Sequence, residues 1–141
     1  MAATTCFVDN TNFVSSMVDA IQGLPTTPPS LYVDLEGVNL CRHGSVSILQ
    51  IYVLPHDRAY IIDVHTLGDQ CFSTPEGNGV TFRQIPASQS IPNVFFDVRN
   101  DSDALYSHFN VNLAGVQDLQ LMECSTRSRI TLPPVNPSGL M

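Results

Sequence analysis

The sequence contains no lysine, and only 13% of its 141 residues are charged. All six basic residues are arginine and thirteen residues are acidic, which gives a formal net charge of −7 at pH 7. This balance excludes a broad basic surface for nucleic acid, although arginine suits a few local phosphate contacts. Because ordinary domains are ~25% charged, we also expect some apolar surface that a partner protein or a further part of the chain covers.

Signals of exported, zinc-binding and membrane proteins are also missing. No Cys-x-x-Cys pair occurs among the four cysteines, which are Cys6, Cys41, Cys71 and Cys124. Neither a zinc site nor a thioredoxin-type motif is therefore indicated. No local pattern pairs a cysteine with any of the histidines, His43, His56, His65 and His108. The chain has no signal peptide and no apolar run that could span a bilayer, so we expect an intracellular, nuclear or cytoplasmic protein with free thiols and no membrane association.

Two carboxylates stand out in the otherwise apolar segment Leu31–Gly37. If this segment is a β-strand, Asp34 and Glu36 point to the same face because strand side chains alternate. Burial of an unpaired charge is costly, and Mg²⁺ is a natural partner for carboxylate oxygens. The alternative is a surface strand whose two acids face water, and the spacing alone favours that alternative.

The remaining pattern predicts an α/β domain with a mixed sheet. Alternating side chains and short turns predict an antiparallel meander of three strands: Leu31–Gly37, Ser45–Val53 and Ala59–Val64. Apolar spacing predicts a first helix, capped within Asp9–Thr11 and running to Ile21. Later segments are predicted as a strand (Val94–Phe96), a helix capped by Asn100 or Asp101 and ending at Phe109, a short strand (Val116–Leu119) and a last helix (Leu119–Arg127). Residues 68–90 are predicted to be a weakly structured insertion.

A family resemblance rests on these motifs. The segment Tyr32–Gly37, with Ser47–Ile51 and Ile61–Val64, resembles the start of DEDD-type 3'-5' exonuclease domains, most of all the ribonuclease D branch and fungal exonuclease-domain proteins. The family's first motif, Asp-x-Glu, corresponds to Asp34 and Glu36. Its second motif places an Asp four residues before a Leu in a helix that follows a strand. The resemblance extends from about residue 30 to Arg127.

The second-motif role falls on Asp101, which precedes Leu105 by four residues, with Asp103 as the alternative. The resemblance implies a ribonuclease H-like mixed sheet flanked by helices, on which Asp34, Glu36 and Asp101 converge to bind Mg²⁺ or Mn²⁺. It further implies phosphodiester hydrolysis at the 3' end of single-stranded RNA or DNA. Arg42 and the adjacent His43 follow the Asp-x-Glu strand and could touch a phosphate, although an ordinary solvated turn is the favoured alternative.

The family's third motif has no counterpart in this sequence. That motif is a Tyr or His four or five residues before a last Asp, whereas no Asp follows Asp118 and the last acid is Glu123. Three prolines exclude a helix in residues 130–141. We therefore expect an N-terminal helix and linker (1–30), a partial exonuclease domain without its last helical part (31–129) and a proline-rich tail (130–141).

The missing motif leaves the function open. An impaired 3'-5' exonuclease is the first hypothesis. A catalytically inactive nucleic-acid-binding or scaffold protein on the same fold is the second, and a fragment with no independent function is the third. Asp118 is predicted to cap the last helix in preference to serving the site. Asp97 and Asp103 are expected to face solvent or to support the metal ligands without binding the metal.

Overall fold

The computed structural model describes residues 3–128, which form one mixed six-stranded sheet with helices. The strands are β1 (Thr4–Val8), β2 (Leu31–Glu36), β3 (Ile48–Val53), β4 (Arg58–Asp63), β5 (Asn93–Phe95) and β6 (Val116–Asp118). Their order across the sheet is β1-β4-β3-β2-β5-β6. The meander β2–β3–β4 is antiparallel, while β1, β5 and β6 each pair in parallel with their neighbours. The predicted α/β fold is confirmed, and the Asp-x-Glu strand β2 lies inside the sheet.

The helices are α1 (Thr11–Ala20), α2 (Val64–Leu67), α3 (Gln70–Ser73), α4 (Arg99–Phe109) and α5 (Leu119–Ser128). Helix α1 begins as the sequence predicts, because the Asn10 side chain accepts a hydrogen bond of 3.0 Å from the Phe13 backbone N–H. Its buried face consists of Val14, Met17 and Val18. Over the described residues, none of the helices combines the length and the apolar character needed to cross a membrane.

The hydrophobic core lies on one face of the sheet. Along β2, Leu31, Val33 and Leu35 are buried, whereas Asp34 and Glu36 are exposed. The core side chains of β2, β3 and β4 belong to the same buried cluster as those of α1, α3 and α4. Along β1 to β4 the opposite face is exposed or only half-buried, and we call it the open face; it presents Phe7, Tyr32, Asp34, Gln50, Tyr52, Ala59 and Ile61.

Two sequence-based expectations about the fold differ from the structure. Strand β1 was not predicted, yet it completes the edge of the sheet beside β4. The segment 68–90 is not weakly structured: it contributes α3 and a 3₁₀ turn at Phe82–Gln84 to the core, through Cys71, Phe72, Phe82 and Ile85. Its Phe72 ring lies 4.6 Å from the Phe109 ring of α4, measured between centroids. The predicted tail, residues 130–141, lies outside the described residues.

Candidate active site

Strand β2 presents Asp34 and Glu36 on the same face, as the two-residue spacing predicts. Asp34 is paired with Gln50 across the β2–β3 ladder, and Glu36 with Ile48. Both carboxylates are exposed to solvent, as the surface-strand alternative expected, although their backbone lies in an interior strand. Two carboxylates are therefore displayed side by side at the end of β2 with access from solvent.

Asp101 reaches the same end of β2 because β5 is short. Strand β5 pairs with β2 only at the first two residues of β2 and ends at Phe95. The chain then turns through Asp97, whose φ is +53°, into α4. In the first turn of α4, Asp101 is buried with 7% of its surface exposed, and the backbone N–H of Leu35 donates to its carboxylate. The Asp101 side chain thus lies beside the β2 residue that separates the two acids.

The start of α4 was predicted two residues too late. The helix begins at Arg99 and its N-cap position is Val98, which provides no side-chain hydrogen bond. Neither Asn100 nor Asp101 caps the helix, so that expectation is wrong. The physical reason is that Asn100 and Asp101 already lie within the first helical turn, in which the Ser102 N–H donates to the Val98 carbonyl oxygen.

The electrostatics show that the three acids interact. Burial raises the pKa of Asp101 to about 7, and the negative charge of Asp34 adds to that rise. The Leu35 N–H acts in the opposite direction, while Asp97 and Glu36 raise the pKa further. At neutral pH this carboxyl is therefore close to half-protonated, and a nearby cation would favour its ionised form.

Carboxylate oxygens are the donors that Mg²⁺ and Mn²⁺ prefer, so the chemistry of Asp34, Glu36 and Asp101 fits such an ion. The positions of these side chains, however, do not form a complete metal site. Within residues 3–128, no three His, Cys, Asp or Glu side chains are gathered so that they could hold a metal ion. The three acids are close enough to repel one another without forming a closed ligand set.

Asp118 holds the two neighbouring helix starts in place. Its carboxylate accepts hydrogen bonds from the backbone N–H groups of Asp97 (3.0 Å), Val98 (3.1 Å) and Gln120 (2.9 Å). These donors, Val98 first, lower the pKa of Asp118. The bond to Gln120 confirms the predicted cap of the last helix. The bonds to Asp97 and Val98 were not predicted, and they fix the turn that leads into α4.

The loop between β2 and β3 is tied to α4. The Arg42 backbone N–H donates to Asp103 Oδ2 at 2.7 Å, and Arg42 Nη2 lies 2.8 Å from Asp103 Oδ1. His108 Nε2 lies 3.0 Å from the Cys41 carbonyl oxygen. Asp103, the alternative for the second motif, is thus engaged with the loop, and the hydrogen bond from Arg42 lowers its pKa. Arg42 is paired with Asp103, while the neighbouring His43 is exposed.

Two glycines make this loop conformation possible. A Cβ at Gly37 would lie 1.9 Å from the Ser45 carbonyl oxygen, and a Cβ at Gly44 would lie 1.9 Å from that of Asn39. No side chain fits at either position without moving backbone atoms. At these two points the loop beside the acids is therefore closely packed against its own backbone.

Comparison with known proteins identifies the family and agrees with the fold. The sequence profile of the family described as 3'-5' exonuclease matches residues 7–128. The chain belongs to the 3'-5' exonuclease family. The exonuclease match contains the last two residues of β1 and extends from there to the end of α5, a span in which Asp34, Glu36 and Asp101 lie.

Among curated proteins, this exonuclease domain is similar to the piRNA biogenesis protein EXD1 of Mus musculus, with 34% identity over 93 residues. That match covers 66% of the chain and 15% of the mouse protein; the Homo sapiens protein of the same name matches with 34% identity, and 16% of it is covered. The chain thus spans about one sixth of the length of these relatives.

Solved structures confirm the ribonuclease H-like fold of the exonuclease domain. Trypanosoma brucei RNase D in complex with RNA U12 superposes with a TM-score of 0.72 and 24% identity, covering 86% of this chain and 39% of that one. The EXD2 exonuclease domain soaked in Mg gives a TM-score of 0.68 and 18% identity, covering 91% of this chain and 62% of that one.

Proposed function

We propose that this exonuclease domain hydrolyses phosphodiester bonds at the 3' end of single-stranded nucleic acid, with Mg²⁺ or Mn²⁺ bound by Asp34, Glu36 and Asp101. One observation carries the proposal: a buried carboxyl at the start of α4 lies close enough to both acids of β2 to have its pKa raised by them. Membership of the family and the EXD2 structures soaked in Mg and Mn support the choice of metal.

Each acid would serve the ion from a different position. Asp34 and Glu36 offer oxygens from the solvent side of β2, where substrate can enter. Asp101 offers an oxygen from the protein side, and the Leu35 N–H orients its carboxylate. Two ions of this kind, when bound, activate a water molecule and stabilise the leaving 3' oxygen.

The loop after β2 would contact the nucleic acid. His43 is exposed, and the Arg42 side chain, although paired with Asp103, keeps 63% of its surface accessible. An arginine held in this way can share its remaining N–H groups with a phosphate. We propose RNA as the first substrate to test, because the similar RNase D is in complex with RNA and EXD1 is named for piRNA biogenesis. We also propose that the protein acts inside the cell.

We further propose that the 141-residue chain hydrolyses slowly on its own. The carboxylate oxygens of Asp118 already accept three backbone N–H groups, so this acid is not free to become a fourth ligand. No later Asp exists in the sequence, and the Tyr or His that orients the water in the family has no counterpart. Loss of a positioned general base typically costs ~10²–10⁴-fold in rate.

A 3'-labelled single-stranded RNA, incubated with the 141-residue chain and Mg²⁺ or Mn²⁺, tests this function. We expect slow release of mononucleotides that EDTA, Asp34→Ala and Glu36→Ala abolish. The matched control is Asp19→Ala, which removes an exposed acid from α1. Release at the rates usual for enzymes would show that the domain is not impaired. Activity that Asp34→Ala leaves unchanged would exclude this site.

A second function is a catalytically inactive protein that binds nucleic acid or serves as a scaffold on the exonuclease fold. It is favoured by the absence, within residues 3–128, of a gathered set of metal ligands. The two functions separate in one experiment. Calorimetric titration with Mn²⁺ should give heat that Asp101→Asn removes if the metal site forms, and no heat above the control if the protein acts as a scaffold.

A further inference from the structure

Strand β1 forms one edge of the sheet and lacks the features that usually protect such an edge. Within residues 3–128, β4 is the only strand that pairs with it. Its sequence, Thr4-Thr5-Cys6-Phe7-Val8, contains no charged residue, no proline and no glycine. Its register with β4 is continuous, without a bulge. Proteins usually protect an exposed edge by one of these devices or by a very short strand, so the edge of β1 is a surface that another strand can join.

The opposite edge of the sheet is protected. Strand β6 has only three residues, Val116–Asp118, whereas the five residues of β1 are an ordinary length for a strand. The carboxylate of Asp118 also binds backbone N–H groups of the turn before α4 and of α5. The capacity for pairing with a further strand therefore lies at β1.

The free backbone groups of β1 belong to Thr5 and Phe7. The Thr4 N–H donates to the Asp57 carbonyl oxygen at 3.1 Å, so the backbone groups of Thr4 and of every second residue after it point towards β4. Because successive residues of a strand direct their N–H and C=O groups to opposite sides, those of Thr5 and Phe7 point to the free edge. Both of their side chains are exposed, on the open face.

We propose that β1 pairs antiparallel with β1 of a second copy of this chain, about a two-fold axis at Cys6, so that the two sheets become one. A two-fold axis perpendicular to the sheet reverses the strand direction, so the pairing that it generates is antiparallel. Cys6 is the middle residue, and only an axis there pairs all of β1 with β1 of the other copy. Thr5 then lies opposite Phe7 of the second copy, and each such pair exchanges both of its backbone hydrogen bonds.

The strand is complementary to itself in side chains and in charge. A β-branched residue opposite an aromatic one, as Thr5 is to Phe7, is a favourable cross-strand pair. The strand carries no charge, so the net charge of −7 does not act within the contact. Asp9, the acid that follows the strand, would lie roughly 20 Å from its counterpart, beyond the Debye length of ~8 Å. Asp57 and Arg58, beside the start of β1, carry opposite charges.

The contact is small, so we expect a reversible dimer. A pair of short strands buries less than the ~1,200 Å² at which stable interfaces begin, which predicts a dissociation constant on the order of 100 µM. Sedimentation equilibrium of the 141-residue chain in EDTA, from about 10 µM to about 1 mM, covers this range. Neither metal nor nucleic acid takes part, so failure here leaves the proposed function untouched.

Cys6 reports the register of the pairing. It would lie directly opposite its counterpart in a non-hydrogen-bonded pair, with Cα atoms ~4.5 Å apart, a separation that a disulfide can bridge. We expect diamide to link two chains: two thiols lose two protons and two electrons, and diamide takes them up as the hydrazine. Cys6→Ser should abolish this link, whereas Cys41→Ser should not.

A displaced cysteine is the geometric control. In the Cys6→Ser background, Thr5→Cys would place the new thiol diagonally to its counterpart, with Cα atoms roughly 8–9 Å apart. A disulfide does not form across such a distance without backbone movement. The linking rate should therefore be at least tenfold lower than that of the wild-type chain.

Substitutions at the edge test the backbone pairing. Thr5→Lys adds a charge at the free edge, and Thr5→Pro removes an N–H that points away from β4. Each should weaken dimerisation at least tenfold. Ser107→Lys is the matched control, because it adds the same charge at an exposed position of α4, which follows β5 on the other side of the sheet from β1. Circular dichroism verifies that each variant is folded.

Three results would overturn the proposal. A chain that stays monomeric up to about 1 mM would leave the edge to a strand of different sequence or to none. A dimer that Thr5→Lys and Thr5→Pro both leave unchanged would place the interface elsewhere. Disulfide linking through Thr5→Cys as fast as through Cys6 would exclude an axis at Cys6.

Discussion

Asp101 differs from the two acids of β2 in its surroundings more than in its chemistry. Asp34 and Glu36 are exposed, whereas Asp101 is buried between α4 and β2. Its pKa rises from an ordinary value of 3.8 to about 7, first through burial and then through the charge of Asp34. Between these two pH values the native protein holds more protons than the unfolded chain, so stability falls as the pH rises.

A prediction follows from this decrease of stability with rising pH. Without metal, Asp101→Asn should stabilise the chain at pH 8 by roughly 2–4 kcal/mol and change it little at pH 4, because asparagine carries no charge to bury. Urea unfolding in EDTA at the two pH values measures the difference. Asp19→Asn is the control, since it removes an exposed acid at no cost of burial. An equal effect of Asp101→Asn at both pH values would contradict the raised pKa.

The sequence indicated the acids of β2 but could not separate Asp101 from Asp103. The period of two along a strand places Asp34 and Glu36 on one face regardless of the rest of the fold. The two candidates on α4 differ through contacts that are distant in sequence. Asp103 binds Arg42, which lies 61 residues away, and a local pattern contains no information on such a pair.

At the scale of elements, Asp118 joins the start of α5 to the turn before α4. The cap of α5 could be predicted because an Asp directly before a helix is a local signal. The bonds to the backbone of Asp97 and Val98 span 21 and 20 residues, respectively, and depend on the parallel pairing of β5 with β6. The role of this side chain in placing α4, and with it Asp101, was therefore not visible in the sequence.

Asp118→Asn should lower the melting temperature at pH 7 by roughly 3–6 °C, since an amide cannot accept all three N–H groups. The pKa of Asp118 is lowered in the folded state. The ionised Asp118 carboxylate therefore stabilises the fold at pH values above its pKa in the unfolded chain, and this stabilisation is lost as the pH falls through its pKa in the folded protein. The difference between variant and wild type should thus shrink in acid. Thermal melts at pH 7 and at pH 3 measure it.

The control for that prediction is Asp97→Asn. This change removes an ion pair with Arg99, whose side chain is 80% exposed, and asparagine tolerates the positive φ at this position. Exposed ion pairs contribute little, so the melting temperature should hardly move. A decrease as large as that caused by Asp118→Asn would mean that the loss of any charge in this region lowers the melting temperature, whether or not the hydrogen bonds of Asp118 are kept.

Element prediction succeeded where the contacts are local. The meander β2–β3–β4 is joined by short connections, and its alternation was readable. Strand β1 was missed because it is five residues long and its partner β4 begins at Arg58, more than fifty residues later. The segment 68–90 was misjudged for a similar reason: the buried Phe72 ring packs against Phe82 and against Phe109 of α4, which is distant in sequence.

At the scale of the whole molecule, the chain has one buried face and one open face. The small charged fraction predicted that some apolar surface would be exposed. The position of this surface could not be predicted without the register of four strands, because the register determines that Phe7, Ile61 and Tyr52 lie on the same side. Composition thus predicted the existence of the surface, and topology determined its position.

This surface should bind a hydrophobic dye in the native state. We expect fluorescence enhancement of an anilinonaphthalene dye with the folded chain at pH 7, and at least a twofold decrease with the double variant Phe7→Ser/Phe96→Ser, since both aromatic side chains are largely exposed. Phe13→Ser should leave the signal unchanged. A wild-type signal no higher than that of the double variant would indicate that the face is covered in solution.

The loop after β2 is joined to α4 at two points, through Asp103 and His108, and its backbone at Gly37 and Gly44 passes too close to Ser45 and Asn39 to admit a side chain. The same helix carries Asp101 in its first turn. These contacts couple the loop to the helix, so we expect the two to open together when the domain fluctuates. Arg42 and Asp101 therefore lie on parts of the fold that direct contacts join, so a substitution that displaces α4 should displace the loop as well.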